Sequence, residues 1–348
     1  MQKVSFESDY NNGAHPEVLE HLIETNGEKS QSYGYDEWSE SARRKIRKAA
    51  ECPDAGIYFL AGGTQANATV LDALLRPYQG VLAVESGHIN AHESGAVEAS
   101  GHKILTLPSH NGLMEASELK SWLERFYADP TWEHMVVPGA VYITFPSELG
   151  TLYSQQALTE IHDICEKYKL QLFVDGARLG YGLAARECEI SLPWLAHHCD
   201  AFYIGGTKVG ALCGEAVVFP RGNVPEGFFS HTKTHGALLA KSRVVGVQFD
   251  ALFTDGLYFR IGDYAIDMAH RLRDIFEKKG YELLPSPTNQ QFVALENGKM
   301  KELREHLAFE TWEVIDESHT LCRFVCSWAT TEEDLRALEE NLSRKRPN

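Results

Sequence analysis

The sequence lacks the features of secreted, membrane-spanning and disulfide-stabilised proteins. No run of about 20 apolar residues occurs in it, and the opening stretch MQKVSFESDYNN has no apolar segment of signal-peptide length. The seven cysteines are odd in number and include no C-x-x-C pair, which argues against a disulfide framework or a zinc site. We therefore expect a cytoplasmic protein with reduced cysteines, no membrane segment and no bound metal.

The chain also lacks an excess of basic residues. Lys and Arg total 33 against 49 Asp and Glu, which gives a formal net charge of −16. A surface of this sign repels phosphate backbones and anionic lipids, so neither nucleic acid nor a membrane is the expected partner. A small polar substrate fits better. No internal repeat or low-complexity segment divides the 348 residues, whose number suits one large domain and a smaller one.

A lysine that follows a short apolar run is the first candidate for chemistry. Residues 201–204 (AFYI) are typical of a buried strand, and Gly205, Gly206 and Thr207 lead from them to Lys208. An ammonium group at the end of a buried strand is poorly placed for solvation. The alternative is an ordinary surface lysine in a turn.

An aspartate further upstream favours the chemical interpretation of Lys208. A second apolar run, residues 170–174 (LQLFV), ends at Asp175, which lies 33 residues before Lys208. This is the spacing of a strand–helix–strand unit, so both side chains would lie at the carboxyl ends of strands in one sheet, where open α/β folds bind ligands. Pyridoxal phosphate requires such a pair, a lysine for the Schiff base and an aspartate beside the pyridinium nitrogen.

A glycine-rich turn is the candidate phosphate site. Residues 57–60 predict a short strand, and Gly62, Gly63, Thr64 and Gln65 separate it from a helix with an apolar face. Such a turn directs free backbone N–H groups and the positive end of the helix dipole to one point, which suits a phosphate. The alternative is that Thr64 is an ordinary N-cap and the glycines only turn the chain.

Two loops that follow predicted strands carry further titratable side chains. His88 comes after the strand predicted at 81–84, and Glu148 comes after the strand predicted at 141–145. A histidine in a loop is usually a surface residue. At the same sheet edge as the glycine turn, however, His88 and Glu148 become candidates for proton transfer.

The C-terminal third predicts a small α+β unit. Strands are expected at 291–295 and 321–328, and helices at 299–307 and 331–342. Arg323 interrupts the apolar character of the second strand. It is either an edge-strand residue that faces solvent or a guanidinium that binds a substrate carboxylate through two hydrogen bonds.

Four motifs together resemble the threonine aldolase and β-eliminating lyase family of fold-type I pyridoxal-phosphate enzymes. They lie at 62–67 (GGTQAN), 87–88 (GH), 175–178 (DGAR) and 205–208 (GGTK), and the resemblance extends over most of the chain. It is strongest to the low-specificity threonine aldolases, which cleave β-hydroxy-α-amino acids to glycine and an aldehyde.

The resemblance implies an α/β fold in which a mostly parallel seven-stranded sheet lies between helices, with a small C-terminal α+β domain. We predict an N-terminal arm at 1–15, which lies across the surface or a neighbouring subunit. A large cofactor-binding domain is predicted at 16–245. The small domain, with an interdomain helix, is predicted at 246–348.

The resemblance also implies a role for each site residue. Lys208 would form the Schiff base, Asp175 would pair with the ring nitrogen, and His88 would stack on the ring. In some members of the family a histidine lies near the substrate hydroxyl, and Glu148 stands at that place here. The other cofactor-binding residues would be Gly63, Thr64, Gln65, Arg178, Thr207 and Lys241. The substrate would be bound by Ser8, Tyr33, Arg178 and Arg323.

A homodimer or homotetramer with shared active sites is expected, in which Lys241 and Tyr33 approach the cofactor of a neighbouring subunit. Two alternatives to an aldolase stay open. A β-eliminating lyase or an aminotransferase would use the same lysine and aspartate, and a non-catalytic relative would keep only the fold.

Overall fold

Three β-sheets form the framework of the chain in the computed structural model, which describes residues 3–344. Their strands are, in chain order, β1 (Val4–Ser5), β2 (Gly56–Leu60), β3 (Gln79–Val84), β4 (Ile104–Leu107), β5 (Val137–Thr144), β6 (Gln171–Asp175), β7 (Ala201–Gly205), β8 (Glu215–Phe219), β9 (Gln290–Glu296), β10 (Leu307–Ala308), β11 (Glu310–Val314) and β12 (His319–Val325).

Helices pack around these sheets. In chain order they are α1 (Pro16–Thr25), α2 (Glu37–Ala49), α3 (Gly63–Leu74), α4 (His88–Ala91), α5 (Ala96–Ala99), α6 (Ala116–Ala128), α7 (Gln155–Tyr168), α8 (Leu179–Ala184), α9 (Leu192–His197), α10 (Phe228–Thr234), α11 (Arg243–Leu252), α12 (Leu257–Lys278), α13 (Asn297–Leu303) and α14 (Glu332–Ser343), with one 3₁₀ turn at Trp132–His134.

The large sheet has seven strands in the spatial order β2-β8-β7-β6-β5-β3-β4. Neighbouring strands are parallel except at β8, which runs antiparallel to both β7 and β2. The mostly parallel seven-stranded sheet expected from the sequence is thereby confirmed. Strands β5, β6 and β7 are buried almost throughout, as expected for strands with helices on both faces. Their carboxyl ends meet at one edge.

Two glycines hold β6 and β7 close together at this edge. A Cβ atom on Gly176 would lie 2.0 Å from the carbonyl oxygen of Tyr203, and one on Gly205 would lie 2.2 Å from that of Ala177. Any side chain at either position would force the two backbones apart. The turns that follow Asp175 and Gly205 therefore lie side by side.

The C-terminal third forms a second unit around the antiparallel sheet β11-β12-β9. Apolar residues of α12 and α14 pack together with those of β9 and β12 in one core cluster. Strand β11 was not predicted, because most of its residues are exposed and lack an apolar pattern. The α+β character agrees with the expectation, while the boundary at residue 245 stays a prediction.

The N-terminal segment packs into this second unit. Strand β1 pairs in parallel with β10, and Phe6 is fully buried in the same core as Phe276 and Phe324. Asp9 is also buried. The expectation of an arm that lies across the surface or a neighbouring subunit is therefore wrong for Phe6 and Asp9, because both side chains are enclosed within the chain itself.

No helix within residues 3–344 combines the length and apolarity needed to cross a bilayer. All seven cysteines are free thiols, buried or half-buried. No group of three His, Cys, Asp or Glu side chains in this part of the chain is arranged to hold a metal ion.

Candidate active site

A cavity opens at the sheet edge where β5, β6 and β7 end. Its lining includes Lys208, Asp175, His88 and Glu148, which the sequence brought forward from four separate motifs. The start of α3 forms another wall of the same cavity. The parallel order of the strands brings these residues together, because each follows a strand that ends at this edge.

Asp175 is the most heavily hydrogen-bonded group of the cavity. The hydroxyl of Tyr203 donates to its Oδ1 at 2.5 Å, and the hydroxyl of Tyr142 donates to its Oδ2 at 2.6 Å. The Asn67 amide also donates to Oδ2, at 2.9 Å, and the Ala177 N–H donates to Oδ1, at 2.9 Å. Sequence reasoning missed both tyrosines, which are ordinary apolar-run residues until β5 and β7 flank β6.

Asp175 and His88 carry complementary charges. Burial raises the pKa of the Asp175 carboxyl, but the nearby His88 and the hydrogen bonds from Tyr142, Tyr203 and Asn67 bring it below its ordinary value. The carboxylate form is therefore the stable one in this buried position. A buried anion of this kind suits a protonated ring nitrogen.

His88 belongs to a second hydrogen-bonded chain. Its Nδ1 lies 2.7 Å from Oε1 of Glu93, a buried carboxylate that also accepts from Asn67 at 2.7 Å. Burial lowers the pKa of His88, yet the Glu93 hydrogen bond and the carboxylates of Glu148 and Asp175 raise it above its ordinary value. His88 is therefore not an isolated surface histidine, and Glu93 is, after the two tyrosines, a third residue that sequence reasoning did not assign.

Lys208 lines the cavity and does not project from a surface turn. Burial and the positive charge of Arg178 lower the pKa of its amine, while Asp9 and Glu148 act in the opposite direction. A lowered pKa increases the neutral, nucleophilic fraction of the amine. Lys208 therefore has the environment required for imine formation.

The glycine turn presents uncapped backbone donors to the cavity. Helix α3 has Gly62 as its N-cap, in an extended conformation and without a side-chain cap hydrogen bond. The alternative that Thr64 is the N-cap is therefore wrong. Within residues 3–344 no acceptor takes the N–H groups of Gly63, Thr64 or Gln65, which are the unsatisfied donors of a helix start. Such donors suit a phosphate.

The side chain of Gln65 is engaged within the chain, so its backbone N–H is the donor it offers to the cavity. Its side-chain Oε1 accepts from the Ala61 N–H at 3.2 Å, and its Nε2 donates to the His235 carbonyl at 3.4 Å. Thr207, another predicted cofactor-binding residue, donates its hydroxyl to Glu215 at 2.8 Å. The side chains of Gln65 and Thr207 thus stabilise loops at the cavity.

Arg178 is already paired inside the chain. Its Nε and Nη2 donate to the two carboxylate oxygens of Asp9, at 2.7 and 3.1 Å. Asn289 donates to the same carboxylate at 2.9 Å. Arg178, the predicted anchor for the substrate carboxylate, is therefore already paired with the carboxylate of Asp9 in the N-terminal segment. Ser8 lies next to Asp9, but its hydroxyl accepts the Tyr10 N–H and does not line the cavity.

Arg323 lies in β12, the central strand of its sheet, and its side chain is buried. The alternative of a solvent-facing edge residue is therefore wrong. Its guanidinium donates to Gln290 at 2.8 Å and forms an ion pair with Glu310 of β11. The same guanidinium lies 5.1 Å above the ring of Trp312, and it shares a second cavity with Lys208.

Lys241 and Tyr33 do not line either of these cavities. Both are exposed, and the Tyr33 N–H donates to the carbonyl of Ala240, so the two lie in one surface region. A groove there is also lined by Tyr35 and Phe229. Lys241 and Tyr33 therefore lie outside the cavities of their own chain, and their predicted contact with a cofactor requires a neighbouring subunit.

The chain is similar to known proteins over most of its length. The family model for β-eliminating lyases matches residues 5–308. The chain belongs to the β-eliminating lyase family. This lyase-family chain is 31% identical over 347 residues to a low specificity L-threonine aldolase of a Pseudomonas species, which covers 98% of the chain and 97% of the relative. The corresponding protein of Pseudomonas aeruginosa is 30% identical over 343 residues, with 97% and 96% covered.

Solved structures give the same result for the fold. The lyase-family chain matches a threonine aldolase from Leishmania major with a TM-score of 0.93 and 36% identity, over 97% of this chain and 98% of that one. An aspartate aminotransferase of Thermus thermophilus matches with a TM-score of 0.69 at 14% identity, over 98% and 91%, which shows the shared fold alone. The family resemblance and the fold-type I architecture predicted from the sequence are confirmed.

Pyridoxal phosphate is the cofactor of this family, and the cavity of the lyase-family chain fits it. The amine of Lys208 and the carboxylate of Asp175 supply the two groups that it requires. The uncapped N–H groups at Gly63 and Thr64 supply donors for its phosphate. The imidazole of His88, on the wall of the same cavity, is available to cover the ring.

Proposed function

We propose that this enzyme cleaves a β-hydroxy-α-amino acid, L-threonine or L-allo-threonine, to glycine and an aldehyde with pyridoxal phosphate. The observation that carries the proposal is the joint placement of Lys208, Asp175 and the uncapped start of α3 in one cavity. The relatives named as threonine aldolases, which match almost the full chain, direct it to this reaction.

The cofactor half of the site fixes charge and position. The Asp175 carboxylate would hold a proton on the ring nitrogen, and the amine of Lys208 would hold the cofactor. When bound, pyridoxal phosphate would withdraw electrons from the substrate Cα and so weaken the bonds to that carbon. The two tyrosines on Asp175 keep that carboxylate ionised and fixed.

The substrate half selects the bond and moves the proton. Arg323 and Arg178 line the same cavity as Lys208, and their positive charges orient the substrate carboxylate. The Glu148 carboxylate faces the same space, where it accepts the proton of the substrate β-hydroxyl, and His88 is a second candidate for this transfer. Release of the aldehyde and return of a proton to Cα give glycine.

The assembly belongs to the same proposal. A homodimer or homotetramer would bring the exposed Lys241 and Tyr33 of one subunit to the cofactor of another, which gives both residues a role. Sedimentation of the pure protein and cofactor affinity of Lys241→Ala test this idea. A monomer with full activity contradicts it.

The expected cytoplasmic location stays a prediction.

Product analysis tests the reaction. Incubation with L-threonine, L-allo-threonine and L-serine should give glycine with acetaldehyde from the first two substrates. Pyruvate from L-serine would instead indicate a β-eliminating lyase, and consumption of a keto acid would indicate an aminotransferase. A purified protein with neither a visible cofactor band nor any product would contradict an enzymatic role altogether.

A further inference from the structure

Glu215 is a buried carboxylic acid in the cavity that the reaction above does not use. It begins β8, which runs antiparallel between β7 and β2. Its residue is 4% exposed, and it lines the cavity together with Lys208. A neutral residue would satisfy a purely structural position at lower desolvation cost, so a buried acid here requires an explanation.

Both carboxylate oxygens of Glu215 bind the turn that ends in Lys208. The Gly206 N–H donates to Oε2 at 3.0 Å, and the Thr207 hydroxyl donates to Oε1 at 2.8 Å. The Thr207 hydroxyl in turn accepts the N–H of Gly214 at 3.0 Å. Strand β8 thus clamps the two residues immediately before Lys208 through one side chain.

The charge of Glu215 acts on the same lysine. Burial raises its pKa to about 8, while its two hydrogen bonds and the positive charge of Lys208 act in the opposite direction. Asp175 is the other charged group that faces Glu215, and Tyr203 and Tyr258 face it as neutral hydroxyls. Glu215 is therefore an acid whose ionisation falls near neutrality beside the reactive amine.

Other charged groups also face Lys208. Arg178 and Asp9 form an ion pair there, Glu148 and Asp175 are the other carboxylates that face the amine, and the imidazole of His88 lines the same cavity. An added negative charge on Glu215 favours the protonated amine by direct Coulomb attraction. Loss of that charge favours the neutral amine.

We propose that Glu215 is a positioning residue for Lys208, which clamps the 205–208 turn and, through its own ionisation, sets how firmly the Lys208 nitrogen holds a proton. The inference rests on the proposed function, since it takes Lys208 to be the lysine that binds the cofactor. It differs from a structural clamp because the charge itself acts on Lys208. In a neutral glutamine the amide oxygen still accepts from the Gly206 N–H, and the amide N–H donates to the Thr207 hydroxyl in place of accepting from it, so the turn stays held while the charge is lost.

Glu215→Gln tests the charge in the purified holoenzyme. The measured quantity is the pH midpoint at which the visible absorption band of the bound cofactor changes, since this reports the proton on the Lys208 nitrogen. Removal of a nearby negative charge should move the midpoint to lower pH by about one unit. Glu215→Asp keeps the charge and should restore the midpoint towards that of the wild type.

Two further variants complete the design. Glu302→Gln removes a half-buried carboxylate of α13 that pairs with Lys299 outside the cavity, and its midpoint should match the wild type. Thr207→Val keeps Glu215 but removes one hydrogen bond to its carboxylate, which favours the neutral acid. Its midpoint should move in the same direction as that of Glu215→Gln, which keeps the test available if the glutamine variant does not fold.

An unchanged midpoint in Glu215→Gln, with cofactor bound, overturns the inference, as does an unchanged midpoint in Thr207→Val. Failure of the proposed function has a different appearance. The wild-type protein would then show no visible band, or borohydride reduction would label a lysine other than Lys208. The two failures are therefore distinguishable in the same set of samples.

Discussion

The two halves of the active site are built in different ways. Around Asp175 every hydrogen bond comes from the edge of the large sheet, from β5, β7, the turn after β6 and helix α3. Around Arg178 and Arg323 the charged partners come from outside the large sheet, Asp9 in the N-terminal segment and Glu310 in β11. The cofactor half is a local product of one sheet edge, while the substrate half depends on the packing of the C-terminal unit and the N-terminal segment against it.

The cofactor half and the substrate half also differ in their electrostatics. The Asp175 carboxylate is surrounded by donors and lacks a strong ion pair, so it is ready for a cationic ring nitrogen. Each arginine already has a carboxylate of the chain itself, so a substrate carboxylate must share or replace that partner. The cofactor half is therefore preorganised, whereas the substrate half must exchange contacts.

Lys208→Ala should give the largest effect, because it removes the amine that we propose binds the cofactor covalently. Turnover should fall by about 10⁴-fold or more, and the visible band of the bound cofactor should disappear. Borohydride reduction of the wild type followed by peptide mapping checks the assignment. A label on Lys233 or Lys241 would contradict the assignment of the whole cofactor half.

Asp175→Asn should give the next largest effect. The amide keeps the shape but leaves a protonated ring nitrogen without its buried counter-charge, a loss of about 3 to 5 kcal/mol, or roughly 10² to 10⁴ in turnover. Tyr203→Phe is the matched control, because it removes one hydrogen bond and leaves the charge. If both variants lost the same activity, preorganisation of the anion would not be the reason for the network.

Arg323→Ala and Glu310→Gln separate the substrate half from the cofactor half. Loss of a charge-assisted pair with the substrate carboxylate should raise KM about 10- to 100-fold in Arg323→Ala, with the cofactor band intact. Glu310→Gln should lower KM by roughly 2- to 5-fold, since Arg323 then has no competing internal carboxylate. Steady-state kinetics measure both. Cofactor loss in Arg323→Ala would instead assign that arginine to the other half.

The smallest expected effect concerns His88. Its raised pKa means that the protonated ring stabilises the fold fully below the ordinary value of 6.5, and that this stability is lost as pH rises through the raised value. Glu93→Gln should lower the pKa of His88 by about one unit. An NMR titration of the His88 imidazole measures this change. The exposed His110, paired with Glu118, serves as the internal control. An unchanged His88 titration would show that Glu93 does not act on it.

The cofactor half was largely predictable from the sequence. Apolar runs of strand length followed by Asp175 and by Lys208, and a glycine turn before a helix, are local patterns that fix both element type and position in a parallel sheet. Tyr142 and Tyr203 were not predictable, because their hydroxyls reach Asp175 only once β5 and β7 flank β6.

The substrate half was predicted in its arginines and in Glu148. The sequence indicates Arg323 because a guanidinium in an apolar strand is unusual, and the family resemblance implies Arg178, but nothing local in Asp9 or Glu310 distinguishes them from surface carboxylates. Asp9 acquires its role because β1 pairs with β10, in which each residue lies 303 positions along the chain from its partner in β1. Ser8 was predicted at the site, and its neighbour lies there instead.

The sequence by itself determined the class of the protein, since strand, helix and turn patterns are set by neighbours within a few residues. It also singled out the lysine and the aspartate proposed to hold the cofactor, because both follow directly from strand ends. Only the tertiary structure decided which carboxylates meet the arginines and how Glu215 reaches the Lys208 turn. Asp9 lies 169 residues from Arg178, whereas Glu310 and Glu215 reach their partners from a neighbouring strand, and these charges interact strongly only because folding removes them from water.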